Sequence, residues 1–93
     1  MAKVIKVKEK EVLFRLYAPQ AKKVSVAGSF NDWKTEKYAG KKDSKGNWGI
    51  KLGLKPGRYE YKFYVDGSWV IDPKCSNNFY NAFGSQNSVV EVK

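Results

Sequence analysis

The stretch Tyr61-Lys62-Phe63-Tyr64-Val65-Asp66-Gly67-Ser68-Trp69-Val70 decides the fold of this chain. Tyr61, Phe63 and Val65 recur at a period of two, the pattern of a strand with one face buried. Asp66-Gly67 follows, the strongest short-range hairpin signal a sequence offers. A two-residue loop there pairs Val65 with Ser68, Tyr64 with Trp69 and Phe63 with Val70. Directly paired residues share a face of a sheet. Tyr61, Phe63, Val65 and Val70 therefore look into a core, while Lys62, Tyr64 and Trp69 share the opposite face. Ile71 also lands on that outer face, which requires either a bulge or cover from the loop that follows. Register alone sets an indole and an ammonium side by side on an exposed surface.

Working outward, short alternating segments recur between turn signals, and no helical period is sustained. Val4 to Lys8 and Val12 to Ala18 read as strands joined near Glu9-Lys10-Glu11. Val24 to Gly28 is a third, with Val24 and Val26 on one face and Ser25 and Ala27 on the other. Ala39 to Gly46 reads as a loop, and Trp48 to Leu52 as a strand with Trp48, Ile50 and Leu52 in the core. Leu54-Lys55-Pro56-Gly57 is a turn, Lys74 to Gly84 an irregular polar and aromatic loop, and Ser88 to Val92 a closing strand. About seven short strands joined by turns imply an all-β, immunoglobulin-like antiparallel β-sandwich.

At 93 residues the chain is expected to be one domain, spanning 1–93, with a single modest core. A hydrophobic fraction of 42% supports folding, and no apolar run is long enough to cross a membrane. The N-terminal segment alternates lysine with aliphatic residues, a strand pattern unlike a secretory signal. One cysteine, Cys75, excludes an internal disulfide and points to a reducing cytoplasm. The formal charge of +9 comes from eighteen basic residues, all lysine except Arg15 and Arg58. Dispersed lysine solvates a surface more often than it reads phosphate.

A second aromatic cluster, Gly28-Ser29-Phe30-Asn31-Asp32-Trp33, ends another strand on an indole. Asn31-Asp32 suits a turn, because both side chains bond local backbone and tolerate left-handed dihedrals. A tryptophan at a turn edge is poorly placed for a core and well placed for a flat-faced ligand; the bland alternative is a cap over the sandwich end. Pyranose rings present C–H groups on their faces and hydroxyls round their rims. An aromatic face meets the first, and Lys, Asn and Gln bond the second. Trp33, Trp69, Lys62 and the amides of Asn77-Asn78 and Gln86-Asn87 supply that inventory. Tyr64 is expected to lean on Trp69 as a support, and Phe79 and Tyr80 to pin the long loop.

Both clusters, with Asp72-Pro73 after the second, resemble carbohydrate-binding module family 48. This family includes the glycogen-binding domain of AMP-activated protein kinase β subunits and the N-terminal domains of branching enzymes and isoamylases. The likeness runs from near Val12 to Lys93. It implies a starch- or glycogen-binding sandwich in which Trp33 and Trp69 stack on α-1,4-linked glucose. It also implies that Lys62 and Asn87 bond sugar hydroxyls. The aliphatic residue that pokes through the curled glucan in kinase-type domains aligns with Phe83, a departure that leaves Phe83 to stack, wedge or be buried.

The function expected is therefore non-catalytic binding of an α-glucan: glycogen, starch, maltooligosaccharides or β-cyclodextrin. A glucan-metabolising enzyme is the expected protein partner, with no cofactor, metal, nucleic acid or membrane. A structural or docking sandwich for such an enzyme or kinase is the alternative. A basic nucleic-acid-binding domain is a weaker one, lacking the aromatic pattern of RNA-recognition strands. Catalysis is not expected: the chain has no histidine, nucleophile–base pair or phosphate loop.

Overall fold

The computed structural model describes residues 8–75, 77–80 and 84–93. The expected strand at Val4 to Lys8 lies outside the described residues except for Lys8, which belongs to no strand. Among those described, eight strands form two antiparallel sheets. One sheet has the order β1-β4-β3, from β1 (Lys10–Tyr17), β4 (Asn47–Leu54) and β3 (Lys41–Lys42). The other has the order β2-β5-β8-β7, with β6 also paired to β5. Its members are β2 (Val24–Gly28), β5 (Gly57–Val65), β8 (Gln86–Val92), β7 (Asn78–Tyr80) and β6 (Ser68–Val70). This is the all-β sandwich expected, with two strands among the described residues, β3 and β7, that the sequence pattern does not mark.

The core lies between the sheets. Phe14 and Leu16 of β1 and Trp48, Ile50 and Leu52 of β4 meet Val24, Val26, Tyr61 and Phe63 from the other side. Phe14 crosses the gap edge-on to Tyr61, with ring centroids 4.8 Å apart. Trp48 is a core residue, 7% exposed, and its indole N–H donates to the Ala18 carbonyl at 2.9 Å. Each such aromatic contributes about 1.5–3 kcal/mol by leaving water.

Two loops hold more structure than their polar composition signals. The expected loop at Ala39 to Gly46 contains β3, whose Lys41 and Lys42 face β4 as an edge of just two residues. The expected loop at Lys74 to Gly84 contains β7, paired to β8 from Asn78↔Ser88 to Tyr80↔Gln86. Buried polar groups explain the second case. Ser88, fully buried, donates to Asn78 Oδ1 at 2.9 Å, while Asn78 Nδ2 donates to the Cys75 carbonyl. A polar residue buried in β8 is tolerated because the loop satisfies it.

Candidate carbohydrate-binding site

The turn after β2 is built residue by residue to raise one indole. Gly28 lies so close to β5 that a Cβ there would collide with the Glu60 carbonyl oxygen. Ser29 stitches the turn to the same residue: its N–H donates to the Glu60 carbonyl at 2.9 Å, and its hydroxyl accepts the Glu60 N–H at 3.1 Å. Phe30 turns inward, against Phe14, Tyr38 and Tyr59. Asn31 is buried and clamps the turn, accepting from Gly28 N at 3.0 Å and donating to the Lys34 carbonyl at 3.1 Å. Asp32 and Trp33 then adopt φ of 55° and 59°. Asp tolerates the left-handed region; a bulky tryptophan is strained there by about 1–2 kcal/mol. The Trp33 N–H donates to the Gly28 carbonyl at 3.0 Å, closing the turn under a half-buried indole.

The second indole comes from the hairpin, whose register is the one read from the sequence: Val65↔Ser68, Tyr64↔Trp69 and Phe63↔Val70. Asp66 and Gly67 have φ of 46° and 86°, positive at both central positions as a type I′ turn demands. The Asp66 carboxylate also accepts from the backbone N–H of Lys22 and Lys23, at 3.0 and 2.8 Å, so the tip is tied to the start of β2. The β6 strand ends at Val70, and Ile71 is partly exposed.

Trp33 and Trp69 meet on the outer face of the larger sheet. Their ring centroids are 6.2 Å apart and their planes are inclined at 72°. Tyr64 backs Trp69 at 4.9 Å, the supporting role expected of it. Trp69 is 46% exposed. Lys62 lies two residues along β5 from Tyr64 on the same face, and its Nζ donates to the Ser85 hydroxyl at 3.1 Å. Trp33 and Trp69 therefore come together, and Lys62 shares their sheet face beside Tyr64.

Asn87 is placed differently from an exposed sugar contact. It is 7% exposed on β8, and its Nδ2 donates to Glu60 Oε1 at 3.3 Å. Phe83 lies outside the described residues. Asn78 serves the loop, and the exposed ring of Phe79 lies under the Arg58 guanidinium at 4.6 Å. Sequence reasoning missed Ser85 and Glu60, the partners of Lys62 and Asn87. The period-two pattern put Glu60 on the outer face, but only the β5–β8 register shows which side chains it meets there.

Residues 11–93 match the family described as the glycogen recognition site of AMP-activated protein kinase. The chain belongs to this family. Glycogen-recognition domains of this kind are a carbohydrate-binding module family. Over 87 residues, 90% of this chain and 15% of its relative, it is 33% identical to Protein FLOURY ENDOSPERM 6, chloroplastic, of Oryza sativa subsp. japonica. It is 38% identical over 72 residues to human 5'-AMP-activated protein kinase subunit beta-2, covering 77% of this chain and 25% of the subunit. With the 1,4-alpha-glucan branching enzyme GlgB of Fusobacterium nucleatum it shares 40% identity over 60 residues, 61% of this chain and 10% of the enzyme. The chain thus spans between a tenth and a quarter of the length of these relatives.

Proposed function

We propose that this glycogen-recognition domain is a non-catalytic module that holds α-1,4-glucan by stacking successive glucose units on Trp33 and Trp69. The observation behind this reading is the 72° inclination of two indoles 6.2 Å apart on an open sheet face. Successive rings of a curling α-1,4 chain present faces at an angle to one another, and inclined platforms meet them. A flat β-1,4 chain presents parallel faces and satisfies one platform at a time. Each ring-to-face contact removes apolar surface from water and sets polarised C–H groups against the indole quadrupole.

In this reading Lys62 and Ser85, already bonded to each other, offer an ammonium and a hydroxyl to the sugar rim. Asn87 holds Glu60 in place, and any sugar bond it makes is an additional one. Phe83, outside the described residues, keeps the three roles left open to it: to stack, to wedge or to be buried. The bacterial relative is a branching enzyme, and we infer an enzyme of glucan metabolism as the protein partner, within a reducing compartment such as the cytoplasm.

Affinity electrophoresis through glycogen, amylose and cellulose tests the reading. Glycogen and amylose retard the domain and cellulose does not, with β-cyclodextrin or maltoheptaose binding at roughly micromolar to millimolar Kd. Near-molar salt changes that affinity by less than about threefold, because no counterions are released from a neutral sugar. Equal retardation by cellulose, or a hundredfold loss in salt, refutes it.

A further inference from the structure

We propose that the cleft on the far side of Tyr64 from Trp69 is an additional glucosyl subsite, which receives the continuing chain of a linear α-glucan. The proposal rests on the glucan-binding reading above and extends its footprint. Ser25 of β2, Tyr64 of β5 and Trp69 of β6 form one cross-strand row on the outer sheet face. Tyr64 is the shared wall: one side of it meets the Trp69 ring, and the other lines a cleft of about 570 Å³. That volume falls within the ~300–1,000 Å³ usual for small-molecule sites.

The cleft is built in place. Its outer wall is the segment 35–40, which runs along β2 as a surrogate strand. Val26 N donates to the Tyr38 carbonyl at 3.1 Å and Gly40 N to the Val24 carbonyl at 2.8 Å. Ser25 on the floor donates its hydroxyl to the Thr35 carbonyl at 2.6 Å, fixing the wall to the sheet. Its end is closed by the Asp66-Gly67 hairpin tip, clamped to Lys22 and Lys23.

The lining chooses the ligand. Lys22 and Lys23 are balanced by Glu36 and Asp66, so the cleft has no net charge to select an anion or a cation. It pairs strong donors with strong acceptors above the Tyr64 ring, the combination a neutral polyhydroxylated ring requires. Continuity decides which such ring. Thr35 and Glu36, in the cleft wall, also line the depression beside Trp33. A glucan gripped by the two indoles thus reaches the cleft without leaving the surface.

Titration calorimetry with maltotriose, maltoheptaose and β-cyclodextrin tests this on the wild type, Ala39→Phe and Glu36→Gln. Ala39 pairs with Ser25 across an antiparallel bridge, so its side chain shares the Ser25 face and a phenyl there fills the cleft. Maltoheptaose is expected to lose about fivefold or more in Ala39→Phe and about threefold in Glu36→Gln, the scale of lost contacts and one hydrogen bond. Maltotriose and the closed ring of β-cyclodextrin, satisfied by the indole pair, stay within about twofold in both. Amide shifts at Ser25, Ala39 and Gly67, which line the cleft and not the depression beside Trp33, move with maltoheptaose and not with maltotriose in the wild type, a readout independent of the variants. Unchanged maltoheptaose affinity in both variants, or no shifts at those amides, overturns the subsite while leaving the indole site intact. No binding of any of the three sugars by the wild type overturns the glucan reading itself.

Discussion

Trp48→Ala separates the scaffold from the binding face most sharply. The Trp48 indole is 7% exposed, packed among Ile50, Leu16 and the other core residues. Truncating a buried Phe or Trp to Ala costs about 3–5 kcal/mol in lost transfer energy and residual cavity. The variant also loses the Nε1 hydrogen bond to the Ala18 carbonyl at 2.9 Å, an acceptor that keeps the Ala21 N–H at 3.1 Å, and this adds about 1 kcal/mol. A domain of this size has about 5–14 kcal/mol in total, so the variant is left marginal. Urea unfolding followed by far-UV circular dichroism measures the change, and thermal melting should fall by about 16–48 °C at 4–8 °C per kcal/mol. Trp48→Phe keeps most of the packing and isolates the hydrogen bond, at about 1–2 kcal/mol. A Trp48→Ala variant within 1 kcal/mol of wild type would refute the assignment of this indole to the core.

Asn31→Ala removes both side-chain bonds that clamp the Gly28–Lys34 turn. It should cost about 1–3 kcal/mol in urea unfolding and weaken glycogen retardation several-fold, because Trp33 loses its seat. Trp33→Gly relieves a left-handed tryptophan while forfeiting the edge contact to Trp69, about 0.5–1.5 kcal/mol. The two nearly cancel, so its stability should lie within about 1 kcal/mol of wild type while binding is lost. Burial, and then the hydrogen bond to Asp72 at 2.7 Å, raise the Tyr61 phenol above the ordinary value of 10.0. The folded chain therefore keeps a proton that the unfolded chain releases, so this stability is full below pH 10 and declines as pH rises past it. Urea midpoints at pH 8 and 11 should fall less in Tyr61→Phe than in wild type.

The hairpin was legible to the residue, because Asp66-Gly67 admits a single two-residue register and that register fixes which side chains share a face. Strand β2 was legible for the same reason of alternation. Its outward residues are nonetheless buried: Ser25 is 7% exposed and Ala27 fully covered. The chain from Trp33 to Gly40 folds back along β2, and no local pattern announces a segment that adds to an edge without being a strand. The same limit hid β7, which is specified by the buried hydroxyl of Ser88 and the amide of Asn78, partners ten residues apart. Of the candidate site, the turn positions of the two tryptophans and the outward face of Lys62 were legible from turn chemistry and period. The pairing of Lys62 with Ser85 and of Asn87 with Glu60 depends on β5–β8 register, which the sequence leaves open. The left-handed Trp33 could not be anticipated either, since Asn31-Asp32 is by itself a sufficient turn signal.

Glycogen affinity of Trp33→Ala and Trp69→Ala, each confirmed folded by its urea transition, tests the central claim most directly. Both side chains sit at the outer face, where they touch each other and Trp69 also touches Tyr64, so deletion leaves no core cavity. Stability should fall by no more than about 1.5 kcal/mol for Trp33→Ala, which loses one aromatic pair, and about 3 kcal/mol for Trp69→Ala, which loses two. Binding should fall by about 1–3 kcal/mol, roughly tenfold or more in Kd. A variant that stays folded and binds glycogen as tightly as wild type would contradict the account, and so would one that unfolds, since its indole would then belong to the sandwich.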